Sequence, residues 1–210
     1  MIRVKKPWIL VCLFVSATSA LPAEAIVLFG GSMGYASQNT AAMHPWSATS
    51  LGLLEQSYFD MTTSFGLYNA ATIGFIIGSQ DNGVALDPGQ YQTLSLNILL
   101  GIGYKIAFAT SLTAVAGAGL YFGSNSLNAV NYTLSSYQAG GVGAGVGISL
   151  LYSLTFNWGI GANVNAAYYF MIPGDVAPTM SPSGISVFGG IGITFFYQPT
   201  RNFGSGVSRF

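Results

Sequence analysis

Hydrophobic residues alternate with small or polar residues along most of this chain. In "TLSLNILLGIGY", residues 93–104, leucine, isoleucine and tyrosine fill one set of alternate positions, and threonine, serine, asparagine and glycine fill most of the other. A period of two is that of a β-strand whose two faces meet different surroundings. The stretch "GGVGAGVGISLLY" keeps this period throughout, whereas a phosphate-binding loop is one short turn entering a helix. We therefore interpret its glycines as one face of a sheet.

Eight segments show this alternation, so the sequence predicts an all-β fold of eight strands. Five are strong, at 93–104, 111–122, 142–152, 158–169 and 185–197, and three are weaker, at 27–35, 58–67 and 73–78. Long connections are expected near 37–52, 80–90, 124–136 and 173–183, and tight links near 67–69, 104–107 and 153–155. Connections that alternate in this way are typical of an antiparallel up-and-down transmembrane β-barrel, with long extracellular loops and short periplasmic turns.

Composition indicates which strand face meets lipid. Charged residues make up 6% of the chain, against about 25% in soluble proteins. A soluble barrel or sandwich would turn its polar face outward and its hydrophobic face inward. Here one face consists of small and polar residues, and the other consists of large hydrophobic residues with almost no charge. We therefore expect the large hydrophobic face to contact lipid. Aromatic residues near its two edges are expected at the membrane interfaces: Tyr35, Tyr104, Tyr152, Trp158, Tyr168 and Tyr197.

The N-terminus predicts export. Basic residues up to Lys6 precede the apolar run Trp8–Val15, and small residues follow, as in a secretory signal peptide. Cleavage is expected after Ala25, in "AEA", or at the alternative site after Ala20. The expected organisation is a signal peptide at 1–25, an eight-stranded barrel at 26–197 and a periplasmic tail at 198–210. The expected location is the outer membrane of a Gram-negative-type, diderm bacterium.

Ten residues are predicted to line the lumen of this barrel: Asp60, Thr62, Ser95, Asn97, Thr113, Gly143, Gly145, Gly147, Asn163 and Asn165. Asp60 is the only charged residue expected at an inward strand position, so we do not expect buried charge pairs to fill the interior. The inward glycines leave two alternatives. They open part of the lumen to small solutes, or they ease strand curvature and make room for the rings of Tyr121, Tyr169 and Phe188.

Little in the chain suggests catalysis. The only histidine, His44, has no carboxylate near it in sequence, so we expect no enzyme activity, metal site or cofactor. The only cysteine, Cys12, lies in the signal peptide, so the mature chain has no disulfide. Few basic residues follow the signal peptide, which argues against binding to nucleic acid.

Two segments resemble the OmpW family of small outer-membrane barrels. "GVGISLLYSLTFNWGIGANVNAAYYF", with Asn157 and Trp158, resembles a hairpin of that family, and "AVAGAGLYFG" resembles the segment before its third long loop. OmpA-like barrels share much of the same alternation. The family normally ends at an aromatic residue, but this chain continues beyond Tyr197, so either Phe196 with Tyr197 or Phe210 carries the assembly signal. The resemblance implies passage of small, often hydrophobic molecules across the outer membrane.

Two functions follow as expectations. The first is a narrow channel or lateral-diffusion path for small neutral or hydrophobic solutes. The alternative is a structural or surface-interaction barrel, similar to an adhesin, whose four long loops bind a partner. Expected partners are membrane lipid, the outer-membrane barrel assembly machinery and small hydrophobic solutes.

Overall fold

The computed structural model describes residues 24–40, 43–62, 64–81, 84–85, 91–129, 137–170 and 183–197. None of these segments is a helix long and apolar enough to cross a membrane. They form nine strands: β1 (Ala25–Thr40), β2 (Met43–Asp60), β3 (Phe65–Asp81), β4 (Val84–Ala85), β5 (Tyr91–Ala107), β6 (Leu112–Ala129), β7 (Tyr137–Ser153), β8 (Trp158–Phe170) and β9 (Ser183–Tyr197).

Eight long strands close into one antiparallel barrel. Each pairs with its neighbour in the order β2, β1, β9, β8, β7, β6, β5, β3, and a further pairing of β3 with β2 completes the ring. The two-residue strand β4 pairs only with the end of β3. The prediction of an all-β, eight-stranded up-and-down barrel is therefore confirmed.

The two faces of the strands differ as the alternation predicts. Most large hydrophobic side chains on the outer face are exposed, as at Phe75 (69%) and Ile191 (71%). Rings and amides on the inner face are fully buried, as at Tyr68 and Asn165. Since apolar surface is stable against lipid and not against water, this outer face forms the membrane belt, and the core lies in the barrel interior.

The predicted boundaries of the first two hairpins are wrong. The predicted strand at 58–67 straddles a turn at 61–64, the predicted link at 67–69 lies inside β3, and most of the predicted loop at 37–52 is strand. The turn joins Asp60, which pairs with Gly66, to the next strand. The two strands are separated by four residues, which is an even number. The alternation of hydrophobic and polar residues therefore continues across the turn without a shift. Phe59 and Leu67 therefore alternate as if on one strand.

A bulge on β3 reverses one predicted orientation. Ser50 of β2 pairs with Ile76, but Thr49 pairs with Gly78, so Ile77 has no partner on β2. The extra residue shifts the alternation by one. Gly78 was predicted to share a face with Gly74, but it turns to the opposite face, where a Cβ would meet nothing within 4 Å.

The later connections lie close to their predicted positions. β3 and β5 flank the predicted loop at 80–90, and β8 and β9 flank the one at 173–183. β6 runs on to Ala129, beyond the predicted loop start at 124, and the turns at 108–111 and 154–157 lie up to four residues after their predicted positions. The predicted signal peptide, apart from Glu24 and Ala25, and the C-terminal tail lie outside the described residues.

Candidate functional site: the barrel interior

A polar layer around Tyr68 crosses the interior. The Tyr68 hydroxyl donates to Oδ1 of Asn165 and accepts from Nδ2 of Asn163, both at 2.8 Å. The Asn163 amide also donates to Ser149 Oγ at 2.9 Å, and Nδ2 of Asn165 donates to Oδ1 of Asn163. These side chains are buried. The layer connects β3 to β8, its opposite strand in the ring, and so spans the lumen.

A second polar layer, around Asn97, lies farther from the short turns. Nδ2 of Asn97 donates to Thr72 Oγ1 at 3.1 Å and to Ser95 Oγ at 3.2 Å. Its Oδ1 accepts from the hydroxyls of Tyr121 at 2.7 Å and Ser186 at 3.0 Å. Asn97 lies on β5 and Ser186 on the opposite strand β9, so this layer also spans the lumen.

Three aromatic rings pack together in the extracellular half. The ring of Tyr121 lies 5.7 Å from that of Tyr169 and 6.0 Å from that of Phe188, between centroids. The Tyr169 hydroxyl donates to the Ser37 carbonyl at 3.2 Å. All three rings are at most 1% exposed. With the two polar layers, they place buried side chains across the lumen at several heights.

Several of the inward glycines make room for aromatic side chains inside the barrel. A Cβ on Gly117 would overlap the Tyr68 ring and lie 2.7 Å from its Cε1, and one on Gly103 would lie 2.9 Å from the Tyr58 ring. A Cβ on Gly147 would lie 2.5 Å from the Tyr68 hydroxyl. Real Cβ atoms do not approach so closely. The geometry thus agrees with the alternative in which glycine accommodates bulky neighbours. Gly123 and Gly184 make room for two of the expected rings, Tyr121 and Tyr169, and the rings of Tyr58 and Tyr68 are accommodated in addition.

An ion cluster closes the periplasmic mouth. Lys105 Nζ contacts the carboxylate of Asp60 and lies 3.1 Å from that of Glu24. It also lies 6.0 Å from the centre of the Tyr58 ring, whose hydroxyl donates to the Ser64 carbonyl at 2.8 Å. The expectation that Asp60 is the only charged residue at an inward strand position is therefore wrong. Lys105 lies an even number of residues from Asn97 and Gly103 on the same strand, so it shares their inward face. This spacing was the sequence signal that Lys105 points inward.

The predicted lumen residues divide into three groups. Ser95, Asn97, Gly145, Asn163 and Asn165 are buried, while Asp60, Thr113, Gly143 and Gly147 are partly exposed. Thr62 is a correction: it is exposed, in the turn at 61–64, because β2 ends two residues before it. The six predicted interface aromatics, Tyr35, Tyr104, Tyr152, Trp158, Tyr168 and Tyr197, are all exposed. Among the described side chains, which do not include that of His44, no group of His, Cys, Asp or Glu could hold a metal ion.

A polar cluster on the outer face escaped the sequence analysis. Nδ2 of Asn69 donates to Oε2 of Glu55 at 2.6 Å and to Ser57 Oγ at 3.4 Å. Asn69 is four residues from Phe65, the first residue of β3, which is about 10 Å along the barrel axis for a tilted strand. Exposed hydrophobic side chains surround the cluster: Phe29, Leu53, Leu67 and Ile73. The hydrogen bonds stabilise a carboxylate that lipid cannot solvate.

The paired register between β3 and β5 ends before the extracellular ends of the two strands. The ladder ends where Gly74 pairs with Ser95, and the next two residues, Phe75 and Leu94, are not ladder partners. Farther along, Gln80 and the last residue of β3 pair with β4 instead. The bulge at Ile77 lies within the same stretch, and bulges bend strands at barrel rims and functional sites. We call this stretch, between Gly74–Ser95 and the β3–β4 hairpin, the β3–β5 window.

Comparison with solved structures places this architecture among small outer-membrane barrels. The crystal structure of OprG from Pseudomonas aeruginosa is 14% identical over 84% of this chain and 96% of its own, with a TM-score of 0.54. Neisserial surface protein A is 12% identical over 83% and 97%, with a TM-score of 0.53. AlkL, solved in lipid bilayers, is 11% identical over 89% and 93%, with a TM-score of 0.52. No protein-family model matches the chain, and no curated protein matches its sequence.

These likenesses show the fold: a small eight-stranded barrel of the outer-membrane class. Together with the apolar belt on the outer face, they confirm the expected location in the outer membrane. The belt explains why so few charged residues occur along the strands. A charged side chain on the outer face would lie in lipid, which destabilises the barrel.

Proposed function

We propose that this barrel passes small hydrophobic solutes sideways, from its extracellular mouth through the β3–β5 window into the lipid. The observation that carries the proposal is the combination of buried side chains across the interior with a β3–β5 register that ends part-way along β3. The layers around Tyr68 and Asn97 occupy the barrel axis, while the β3–β5 ladder stops at Gly74–Ser95. A solute that enters from outside meets side chains ahead of it and the window beside it.

The side chains at the edges of the β3–β5 window are compatible with passage of an apolar solute. Phe75 and Ile77 are exposed on the β3 side, and Leu94 is exposed on the β5 side. The floor on the inner side is formed by Ser95 and Asn97, whose polar groups are neutral. None of the described side chains along the window is charged, so an ion would leave water without gaining a counter-charge from them. A neutral or hydrophobic molecule would move from one apolar surface to another.

Two further expectations belong to this proposal. Kinship with OmpW-like barrels is supported by the hairpin between β7 and β8, where Asn157 lies in the turn and Trp158 begins the next strand. Insertion by the barrel assembly machinery is supported by the closed antiparallel ring and by the aromatic end of β9 at Tyr197.

A reversible crosslink across the window tests the proposal. The only native cysteine is Cys12, in the expected signal peptide. Cysteines at Phe75 and Leu94 would be joined by a cleavable bis-maleimide, and uptake of a fluorescent hydrophobic solute would be measured in reconstituted vesicles. We expect crosslinking to reduce uptake to the level of empty vesicles, and cleavage of the linker to restore it.

The matched control lies two residues away on the same strands. Ile73 and Leu96 already pair in the ladder, so crosslinking cysteines there should leave uptake unchanged. Equal uptake with the window open or crosslinked would refute lateral passage. Steady ion conductance through the crosslinked barrel would indicate an axial channel instead.

A surface-interaction barrel is the second candidate. The strands are long: β2 and β6 have 18 residues each, whereas about 9–11 cross a membrane. The β1–β2 and β6–β7 hairpins would therefore extend well beyond the lipid on the extracellular side. A structural neighbour, Ail of Yersinia pestis, is named as an attachment invasion locus protein, with 8% identity and a TM-score of 0.53. Solute flux equal to that of empty vesicles, together with binding of the intact barrel to a host surface, would favour this candidate.

A further inference from the structure

The first described residues belong to the wall of the barrel. Ala25 begins β1 and pairs with Phe59 on one side and with Tyr197 on the other. One residue earlier, the Glu24 carbonyl accepts a hydrogen bond from the Asp60 amide at 2.9 Å. Glu24 thus extends the contact between β1 and β2 by one more hydrogen bond.

The Glu24 side chain completes the ion cluster at the periplasmic mouth. Its carboxylate accepts from Lys105 Nζ at 3.1 Å, while Asp60 contacts the same ammonium group. The Lys105 side chain is 17% exposed and that of Asp60 is 12% exposed, so neither is fully solvated. A second carboxylate beside Lys105 therefore stabilises a charge that water reaches only in part.

The two expected cleavage sites have different consequences for this cluster. Both carry small residues at the positions that an A-x-A-like site requires. Cleavage after Ala25 would remove Glu24, take the acceptor from the Asp60 amide and leave Lys105 with one carboxylate. It would also place a new positive α-amino group on Ile26, at the same end of the barrel as Lys105. Cleavage five residues earlier keeps every one of these contacts.

We propose that signal peptidase cleaves between Ala20 and Leu21, so that the mature chain begins at Leu21 and retains Glu24 as part of the barrel. The reaction is a hydrolysis in which one water molecule adds across the Ala20–Leu21 peptide bond. The released leader carries the new carboxylate of Ala20, and the mature chain carries the new α-amino group of Leu21. This site replaces the one in "AEA", and the proposal does not depend on solute transport.

Intact mass spectrometry of the protein extracted from outer membranes gives the first test. We expect one mature species that begins at Leu21. A species that begins at Ile26 would be lighter by Leu-Pro-Ala-Glu-Ala and would overturn the proposal. An uncleaved chain that begins at Met1 would overturn it as well.

A matched pair of variants gives the second test, because each changes the residue before one candidate bond. Ala20→Gln should abolish the Leu21 species and leave precursor or a shifted cleavage product. Ala25→Gln should be processed normally, and its mature mass should differ from that of the wild type only by the substitution. The reverse pattern, with processing blocked by Ala25→Gln alone, would show that the "AEA" site is used.

A stability comparison tests the structural reason. Chains that begin at Leu21 and at Ile26 would be refolded into lipid vesicles and titrated with urea. We expect the Ile26 chain to unfold at lower urea, and Glu24→Gln in the longer chain to reproduce part of that shift. Coincident unfolding curves for the two chains would contradict a role for Glu24 in the barrel.

Discussion

Gly117→Ala is the most direct test of a filled interior. The added methyl group would overlap the ring of Tyr68 and lie 2.7 Å from its Cε1. Carbon atoms in favourable contact are about 3.5–4.0 Å apart, so the ring would have to move by about 1 Å. The Tyr68 hydroxyl is held by Asn165 and Asn163 at 2.8 Å. A shift of that size would stretch both hydrogen bonds beyond their useful range.

The magnitude follows from these contacts. Overpacking of a core costs about 1–3 kcal/mol, and two weakened hydrogen bonds cost about 1–3 kcal/mol together. These two costs overlap because one displacement causes both. Replacing glycine by alanine in a strand returns about 0.5–1 kcal/mol of backbone entropy. We therefore expect Gly117→Ala to lower the free energy of unfolding by about 2 kcal/mol.

Urea titration in lipid vesicles, followed by heat-modifiable gel migration, would measure this loss. The matched control is Gly31→Ala, because Gly31 is exposed on the outer face and a Cβ there meets nothing within 4 Å. It should be neutral or slightly stabilising. In a Tyr68→Ala background, which removes the ring, Gly117→Ala should lose most of its cost. Equal effects of Gly117→Ala and Gly31→Ala would refute the view that inward glycines make room for rings.

Three further predictions concern the outer face, the topology and the periplasmic mouth. Asn69→Leu should lower the free energy of unfolding by about 1–3 kcal/mol because it leaves Glu55 without its amide partner. Glu55→Gln should be close to neutral in the same urea titration. A larger loss of stability for Glu55→Gln than for Asn69→Leu would contradict this reasoning. A cysteine at Asp175 should react with an impermeant thiol reagent on whole cells and one at Asn157 should not, so equal labelling would mean that the long loops are not extracellular. Lys105→Met should lower the free energy of unfolding by about 1–3 kcal/mol because the Asp60 carboxylate loses its main partner. Urea unfolding curves identical to those of the wild type would show that the ion cluster does not stabilise the barrel.

Several features of this protein could be predicted from the sequence because they depend on neighbouring residues only. The period of two assigns Asn97 and Asn163 to one face and Ile102 to the other, whatever strand lies beside them. Low charge and an aromatic-rich face indicate which side meets lipid. Together these local patterns sufficed to predict an eight-stranded barrel and the polar residues Ser95, Asn97, Asn163 and Asn165 of its interior.

The same local pattern could not locate every turn or face. It continues in phase across the turn at 61–64, so Tyr68 was placed in a link rather than on an inward strand face. The bulge at Ile77 shifts the alternation by one residue, which depends on the register with β2 and is invisible in β3 alone.

Only the closed barrel determined what fills the lumen. Lys105 and Asp60 are 45 residues apart in the chain, and Tyr68 and Asn165 are 97 apart. They meet because the strands close into a barrel and because the strand register sets the position of each inward side chain along the barrel axis. Alternation specifies that a side chain points inward, but its partners depend on pairing between distant strands. For that reason the sequence indicated a glycine-lined interior, while the tertiary structure decided that tyrosines occupy the space that several of those glycines leave.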